Sequence, residues 1–488
     1  MEHQRKLFQQ RGYSEDLLPK TQSQRTWKTF NYFTLWMGSV HNVPNYVMVG
    51  GFFILGLSTF SIMLAIILSA FFIAAVMVLN GAAGSKYGVP FAMILRASYG
   101  VRGALFPGLL RGGIAAIMWF GLQCYAGSLA CLILIGKIWP GFLTLGGDFT
   151  LLGLSLPGLI TFLLFWLVNV GIGFGGGKVL NKFTAILNPC IYIVFGGMAI
   201  WAISLVGLGP IFDYIPSGIQ KAENSGFLFL VVINAVVAVW AAPAVSASDF
   251  TQNAHSFREQ ALGQTLGQTL GLVVAYILFA VAGVCIIAGA SIHYGADTWN
   301  VLDIVQRWDS LFASFFAVLV ILMTTISTNA TGNIIPAGYQ IAAIAPTKLT
   351  YKNGVLIASI ISLLICPWKL MENQDSIYLF LDIIGGMLGP VIGVMMAHYF
   401  VVMRGQINLD ELYTAPGDYK YYDNGFNLTA FSVTLVAVIL SLGGKFIPFM
   451  EPLSRVSWFV GVIVAFAAYA LLKKRTTAEK TGEQKTIG

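Results

Sequence analysis

Stretches of about 20 apolar residues recur along nearly the whole chain, and each could cross the ~30 Å hydrocarbon core of a bilayer. Lipid offers no hydrogen-bond partners, so a backbone that crosses it must form helices or a closed barrel. The chain is 57% hydrophobic and 10% charged, whereas soluble domains carry about 25% charged residues. The sequence therefore predicts an all-α integral membrane protein.

Twelve transmembrane helices are predicted from the apolar stretches and the polar segments between them. They lie near residues 32–57, 59–82, 107–134, 155–174, 181–206, 226–247, 264–291, 311–334, 354–370, 377–402, 428–443 and 454–472. The first 28 residues lack the apolar core and cleavage site of a signal peptide, so the first apolar stretch is expected to be a span.

The basic residues give this topology an orientation. The chain has 28 Lys and Arg residues, and those in the segments assigned to the outer side are Lys137, Lys221, Arg307, Lys369, Lys445 and Arg455. The remaining 22 fall in inner segments when the N-terminus is placed inside. This asymmetry satisfies the positive-inside rule and predicts an inner-membrane protein with both termini cytoplasmic. The net charge of +7 is thus a topology signal and no argument for a nucleic-acid partner.

Two of the predicted spans contain breaks. Residues 39–45 of the first span surround Pro44, and residues 241–246 of the sixth surround Pro243. Proline removes a backbone donor and clashes with the preceding turn, so both helices are expected to unwind. Interrupted helices at matching places in two inverted halves point to the midplane site of a transporter. The alternative is a pair of ordinary proline kinks.

The breaks suggest how the chain is divided, because a five-span unit reverses the topology of the next one. We predict, in order, a cytoplasmic N-terminal tail, two five-helix repeats, helices 11 and 12, and a cytoplasmic C-terminal tail. Their boundaries are 1–31, 32–206, 226–403, 404–473 and 474–488.

Polar and aromatic side chains inside the spans indicate a binding site. Trp119 and Gln123 are four residues apart on one helix face, where an indole could stack on a flat ring while the amide reads its edge. Trp240 precedes Pro243 and could supply the second face of a sandwich. The alternative for Trp119 and Gln123 is an interfacial tryptophan beside an interhelical hydrogen bond.

The eighth span has seven hydrogen-bonding side chains within residues 324–333. The hydroxyls of Ser327 and Thr328, together with carbonyls of a broken helix, would suit a small hard cation, and Asn329 and Asn333 form a second polar face. Alternatively, the hydroxyls only bond back to their own helix.

Two ionisable residues within spans have open roles. His41, in the first break, is either a proton relay or a satisfied core residue. Asp382, a few residues into the tenth span, is either a gate or proton site or a carboxylate in a solvated vestibule.

These motifs together resemble the nucleobase-cation symport family 1, whose members import purines, pyrimidines, hydantoins and allantoin. The similarity extends over residues 20–475. The residues that carry it are Trp119-Phe120-Gly121-Leu122-Gln123, Trp240, Ser327-Thr328-Asn329 and Asn333, supported by Pro90-Phe91, residues 96–103, Pro367-Trp368 and Gly389-Pro390. The resemblance implies a LeuT-type fold of two inverted five-helix repeats plus two C-terminal helices.

The resemblance also implies roles for individual residues. Trp119 and Trp240 would stack on the two faces of the substrate, and Gln123 and Asn333 would hydrogen-bond its edge, with Asn42 and Asn329 nearby. A sodium ion would be held by the carbonyls of Gly38, His41 and Thr324 and by the hydroxyls of Ser327 and Thr328.

The predicted function is secondary active import of allantoin, or a related hydantoin or ureide, by alternating access coupled to Na⁺ or H⁺. The alternatives are an importer of a nucleobase such as uracil or cytosine and a passive channel for small ureides. An enzyme is not expected, because the spans show no metal-ligand cluster and no nucleophile–base pair. The expected partners are the small-molecule substrate and membrane lipid, without a cofactor, nucleic acid or obligate protein partner.

Overall fold

The computed structural model describes residues 2–216, 218–284, 301–371, 374–415 and 422–486. Nearly all of its regular structure is helical. In the first half of the chain the helices are α1 (Glu2–Gln10), α2 (Thr29–Val40), α3 (Val43–Phe52), α4 (Thr59–Tyr87), α5 (Phe91–Tyr99), α6 (Leu105–Gly108), α7 (Ala116–Ile138), α8 (Leu156–Val206), α9 (Leu208–Phe212), α10 (Ser225–Val239) and α11 (Ala241–Val245). Then come α12 (Ser248–Thr251), α13 (Phe257–Val284), α14 (Val301–Arg307), α15 (Leu311–Asn329), α16 (Ile335–Ile344), α17 (Tyr351–Leu364), α18 (Trp368–Met371), α19 (Gln374–Met396), α20 (Leu409–Leu412), α21 (Leu428–Leu442), α22 (Glu451–Arg455) and α23 (Ser457–Thr486).

One small β element was not expected in an all-α fold. Strands β1 (Thr150–Leu151) and β2 (Leu154–Ser155) form an antiparallel hairpin just before α8. The turn places Leu152 and Gly153 at positive φ. The hairpin lies between two spans and leaves the helical architecture unchanged.

Seven of the described helices are long and apolar enough to cross a membrane, or eight if the pair Pro448–Arg455 and Ser457–Lys473, bent by 88°, is one span. Shorter apolar helices occur at Val43–Leu55, Ser225–Val239 and Tyr351–Leu364, and they overlap the predicted first, sixth and ninth spans. Described helices overlap all twelve predicted spans, although residues 285–291 of the seventh lie outside the described part.

Both predicted spans are interrupted, although Ala241–Val245 of the predicted break in the sixth span form a short helix. Helix α2 ends at Val40 and α3 begins at Val43, with Pro44 in its first turn. The Asn42 side chain caps α3 by accepting a hydrogen bond from the backbone N–H of Asn45 at 3.1 Å. The sixth span divides at Trp240, which lies between α10 and α11. Each break therefore leaves helix ends in the interior of the bundle.

Among the described residues, three helical segments are wound as π-helix, at Leu109–Ala115, Ala330–Ile334 and Ala397–Val402. Such segments shift the register of a helix and often occur at functional sites. The first leads into α7, and the second joins α15 to α16. The second contributes residues to the cavity described below, and the first contacts one of them through the bond from Arg111 to Gly332.

The N-terminal segment is folded against the bundle, although the sequence suggested only a polar tail. Phe8 and Leu17 are fully buried. The backbone of Trp27 donates to the Asn253 carbonyl at 2.9 Å and accepts from the His255 N–H at 2.8 Å. Residues 2–28 thus cover one face of the molecule, next to the loop that follows the sixth span.

Candidate substrate cavity

A narrow cavity lies where the two broken helices meet the third and eighth spans. Its volume is about 40 Å³, roughly the room for three waters. Its lining residues are Trp36, Ser39, Asn42, Asn45, Trp119, Gln123, Val239, Trp240, Ala242, Pro243, Thr328, Thr331, Gly332 and Asn333. The structure therefore brings together residues that are up to about 300 positions apart in the sequence.

The two tryptophans predicted to form a sandwich both line this cavity and are almost fully buried. Each is supported by another aromatic ring. Trp240 meets Trp36 edge-on with ring centroids 5.7 Å apart, and Trp119 meets Phe380 in the same manner at 5.7 Å. Edge-to-face contacts of this kind fix ring orientation and leave a face available to a planar ligand.

Amide groups supply the polar part of the cavity. The Nε2 atom of Gln123 donates to the Oδ1 atom of Asn42 at 3.5 Å, and the Gln123 Oε1 atom is buried without a hydrogen-bond partner among the described residues. A buried carbonyl oxygen without a partner is costly, so Gln123 is suited to accept a hydrogen bond from a ligand N–H group. Asn42 combines this contact with its capping role at the break.

Asn333 and Asn329 occupy different layers. Asn333 lines the cavity, whereas Asn329 lies behind it and accepts a hydrogen bond from the Asn333 Nδ2 atom at 2.9 Å. Asn329 in turn donates to Asn169 Oδ1 at 3.1 Å and to the Phe120 carbonyl at 3.3 Å. Asn329 is thus placed to orient Asn333, and the cavity lining does not include it.

The residues predicted to bind a cation converge beside the first break. A Cβ atom on Gly38 would lie 3.1 Å from the Ser327 hydroxyl, which is buried without a hydrogen-bond partner among the described residues. The Thr328 hydroxyl donates to the carbonyls of Ser39 at 3.0 Å and Thr324 at 2.9 Å. Gly38 is in the last turn of α2, where carbonyls have no following helical N–H partner. These oxygen atoms form a donor set suited to a hard cation.

The His41 side chain points away from the cavity. Its Nδ1 atom is 3.1 Å from the Tyr46 hydroxyl, and its ring packs against Phe195 with centroids 5.2 Å apart. The His41 ring is thus packed in the core of the bundle. Any role of His41 in cation binding would use its backbone carbonyl.

Asp382 is not among the residues that line the cavity. Its carboxylate pairs with the Lys445 ammonium at 2.6 Å, and each side chain is 33% exposed. Of the two roles left open by the sequence, this geometry matches a carboxylate at a solvated edge.

Several lining residues were not among those predicted from the sequence. Trp36 and Asn45 flank the first break, and Thr331 lies between the predicted Thr328 and Asn333. The indole Nε1 of Trp36 is buried without a hydrogen-bond partner among the described residues. The available signal was position: Trp36 and Asn45 lie within one or two turns of a predicted helix break.

The match to a protein-family model decides the classification. Residues 19–461 match the model described as a permease for cytosine and purines, uracil, thiamine and allantoin. The chain belongs to this permease family. It is a multi-pass membrane transporter and not an enzyme, as the sequence predicted.

Individual relatives agree with this assignment. The permease is 98% identical to a candidate allantoin permease of Escherichia coli (strain K12), over all of both chains. It is 39% identical to the allantoin permease of Bacillus subtilis (strain 168) over 94% of this chain and 93% of the relative.

A solved structure supports the fold. Mhp1, a nucleobase-cation-symport-1 family transporter seen in a closed conformation with bromovinylhydantoin, matches with a TM-score of 0.76 and 23% identity over 96% of each chain. This match confirms the predicted LeuT-type fold class of the permease. The boundaries of the two repeats stay a prediction.

Proposed function

We propose that this permease imports allantoin, or a closely related hydantoin or ureide, across the bacterial inner membrane by alternating access coupled to a cation gradient. The observation that carries the proposal is the cavity in which two aromatic faces and two amides converge between the broken helices. The names of the two allantoin permease relatives support the choice of substrate.

The chemistry of the lining favours a neutral, flat molecule. None of the described residues that line the cavity carries a formal charge. A charged ligand would lose its hydration without a compensating partner. Trp119 and Trp240 offer ring faces, while Gln123 and Asn333 offer the complementary donors and acceptors for an amide edge. A ring that carries alternating N–H and C=O groups satisfies both requirements.

Sodium is the coupling ion that the donor set favours. The unpartnered hydroxyl of Ser327 faces Gly38, and the Thr328 hydroxyl lies against two carbonyls, so the available ligands are neutral oxygens. Proton coupling would require a titratable side chain in this position, and the ring of His41 is instead packed against Tyr46 and Phe195. We therefore place sodium first and a proton second.

The charge asymmetry of the loops supports a proposed topology. We propose that the face covered by residues 2–28 is cytoplasmic and that both termini lie there. The two repeats would comprise residues 32–206 and 226–403. A larger cavity of about 740 Å³, lined in part by Lys20, Trp27 and Asp249, opens near the N-terminal segment and would be the cytoplasmic vestibule.

Uptake into proteoliposomes tests the proposal. Radiolabelled allantoin should accumulate in a saturable manner when an inward sodium gradient is imposed, and the signal should collapse when the gradient is dissipated. Accumulation that responds only to a proton gradient would replace sodium with a proton. Non-saturable equilibration that ignores both gradients would indicate a channel.

Competition for allantoin uptake by hydantoins, uracil and cytosine would then define the substrate range. We expect 5-substituted hydantoins to compete more strongly than the nucleobases. Inhibition by uracil or cytosine at lower concentration than by allantoin itself would instead make a nucleobase the substrate.

A further inference from the structure

Arg111 is a fully buried cation within the third span. A charge inside a membrane bundle is costly and usually has a functional reason. Its Nε atom donates to the Ser246 hydroxyl at 3.1 Å, and its Nη2 atom donates to the Gly332 carbonyl at 2.6 Å. A single guanidinium therefore ties the third span to the sixth and the eighth.

On both partner segments, the residue that bonds to Arg111 lies at the substrate cavity or between it and the vestibule. On the sixth span, Pro243 lines the substrate cavity, Ser246 contacts Arg111, and Asp249 lines the vestibule. On the eighth span the same order holds, from the cavity to the vestibule. Gly332 both lines the cavity and contacts Arg111, and Ile335 lines the vestibule. Arg111 thus lies between the two cavities.

Arg111 and Asp249 each have one polar atom that forms no hydrogen bond with the described residues. The Nη1 atom of Arg111 and the Oδ2 atom of Asp249 are both buried without a hydrogen-bond partner among the described residues. The Asp249 Oδ1 atom accepts from the Phe91 N–H at 2.9 Å. The two side chains attract each other electrostatically, and Lys20 also attracts Asp249. Each side chain therefore keeps one buried polar atom without a partner among the described residues, and the two groups lie near enough to interact electrostatically.

We propose that Arg111 is the inner gate residue of the permease and that Asp249 is its alternative partner. In the arrangement seen here, Arg111 holds the sixth and eighth spans together through Ser246 and Gly332. When the path to the vestibule opens, the guanidinium leaves these two acceptors and pairs with the Asp249 carboxylate. The proposal rests on the proposed function only in that the vestibule is taken as the cytoplasmic exit.

The geometry favours a switch over a purely structural pair. A charge pair kept only for stability is expected to satisfy its polar atoms, because a buried unpaired donor or acceptor is destabilising. Here Arg111 and Asp249 each keep one polar atom without a partner among the described residues, whereas the other polar atoms of the two groups are hydrogen-bonded. Exchange between the two sets would let the guanidinium keep charge-assisted contacts in both states, with more of them in the closed state, where it bonds to two spans.

The rate at which a thiol reagent labels a single introduced cysteine would measure the opening of this gate in the absence of substrate. Ala242 lines the substrate cavity, so Ala242→Cys would be introduced into a functional variant whose five native cysteines are replaced. Inside-out vesicles expose the vestibule face to a membrane-impermeant thiol reagent. The labelling rate then reports opening between the vestibule and the cavity.

Arg111→Gln is expected to raise this labelling rate by about tenfold, because charge-assisted hydrogen bonds that hold the path closed are lost. Arg111→Lys should give an intermediate increase, since an ammonium keeps the charge without the two-pronged geometry. It also serves as the test if the glutamine variant fails to fold. Asp249→Asn should lower the labelling rate and slow net uptake, because the open state loses its carboxylate while Phe91 keeps an acceptor.

The matched control is Arg96→Gln, which removes another buried arginine that bonds to Tyr13 and the Leu412 carbonyl, away from the path between the cavities. Its labelling rate should stay at the parental value. The gate proposal is overturned if folded Arg111→Gln and Arg111→Lys proteins label at the parental rate, or if Asp249→Asn increases labelling. Since no transported compound is present, these outcomes are independent of whether allantoin is the substrate.

Discussion

The indole of Trp36 meets the indole of Trp240 edge-on, with ring centroids 5.7 Å apart and an interplanar angle of 73°. Trp36 precedes the break of the first span, and Trp240 forms the break of the sixth. The two interrupted helices are therefore in direct contact through the ring that we propose faces the substrate. Trp36 also packs edge-on against Phe250 at 5.4 Å, which anchors it from the other side.

Replacement of Trp119 by alanine should abolish most uptake at low substrate concentration. The variant loses one face of the proposed sandwich, and removal of a buried aromatic contact is expected to cost about 2–3 kcal/mol, or roughly 30–150-fold in apparent affinity. The measurement is initial uptake of radiolabelled allantoin against concentration, normalised to the protein in the membrane.

Trp139→Ala is the matched control for Trp119. Trp139 is 56% exposed at the end of α7 and lies outside the cavity lining. It should retain the parental half-saturation concentration. Near-normal uptake by Trp119→Ala would remove Trp119 from the site.

Gln123→Glu should reduce uptake by at least about tenfold while the protein reaches the membrane in normal amounts. The change preserves shape but replaces the N–H donor group by an oxygen and places a charge in a buried cavity, which is costly. Comparison of allantoin with a hydantoin that lacks the ureido arm would show whether the loss depends on the ring edge. Equal uptake by Gln123→Glu and the parent would contradict an amide-reading role.

The sequence predicted much of this site because helix-breaking prolines and polar residues in apolar spans leave strong local signals. Pro44 and Pro243 indicated both breaks, and Gln123 and Asn333 do line the cavity. For Trp36 the sequence offered only its position near the first break, since a tryptophan in an apolar helix is consistent with either lipid or core. Its role depends on the packing of α2 against the sixth span, which no local pattern encodes.

The role of Arg111 also could not be predicted from the sequence. In the sequence it counted as one more basic residue near the inner side, whereas in the structure it is fully buried and bonded to two other spans. The folded N-terminal segment was also missed. Its buried residues, such as Phe8, are isolated among charged ones, and only contact with distant loops makes them part of a core.

Ser327→Ala should weaken the response of uptake to sodium by about tenfold with little effect on folding. The Ser327 hydroxyl has no hydrogen-bond partner among the described residues, so its removal breaks no internal bond but takes away a proposed cation ligand. Thr325→Ala is the control, because the Thr325 hydroxyl is buried in the same helix and bonds back to the Ile321 carbonyl at 2.7 Å. An unchanged sodium dependence in Ser327→Ala would move the cation site elsewhere.

Asp382→Asn should leave allantoin uptake within about threefold of the parent and should not change its pH profile. The ion pair with Lys445 is partly exposed, and pairs of this type contribute about 0–1 kcal/mol. The measurement is initial uptake between pH 6 and 8, flanking roughly neutral pH. A loss of tenfold or more, or a displaced pH optimum, would restore the gate or proton-coupling role for Asp382.

Gly354→Ala should destabilise the packing of the eighth and ninth spans by about 1–3 kcal/mol, the usual cost of overpacking. A Cβ atom on Gly354 would lie less than 3.0 Å from the backbone oxygen of Gly338, so the two helices would have to separate. Close approach at small residues is a main source of helix association in membranes. Gly171→Ala is the matched control, because a Cβ there meets nothing within 4 Å. Thermal unfolding in detergent should show a lower midpoint for Gly354→Ala alone, and equal midpoints would mean that this contact is not limiting for stability.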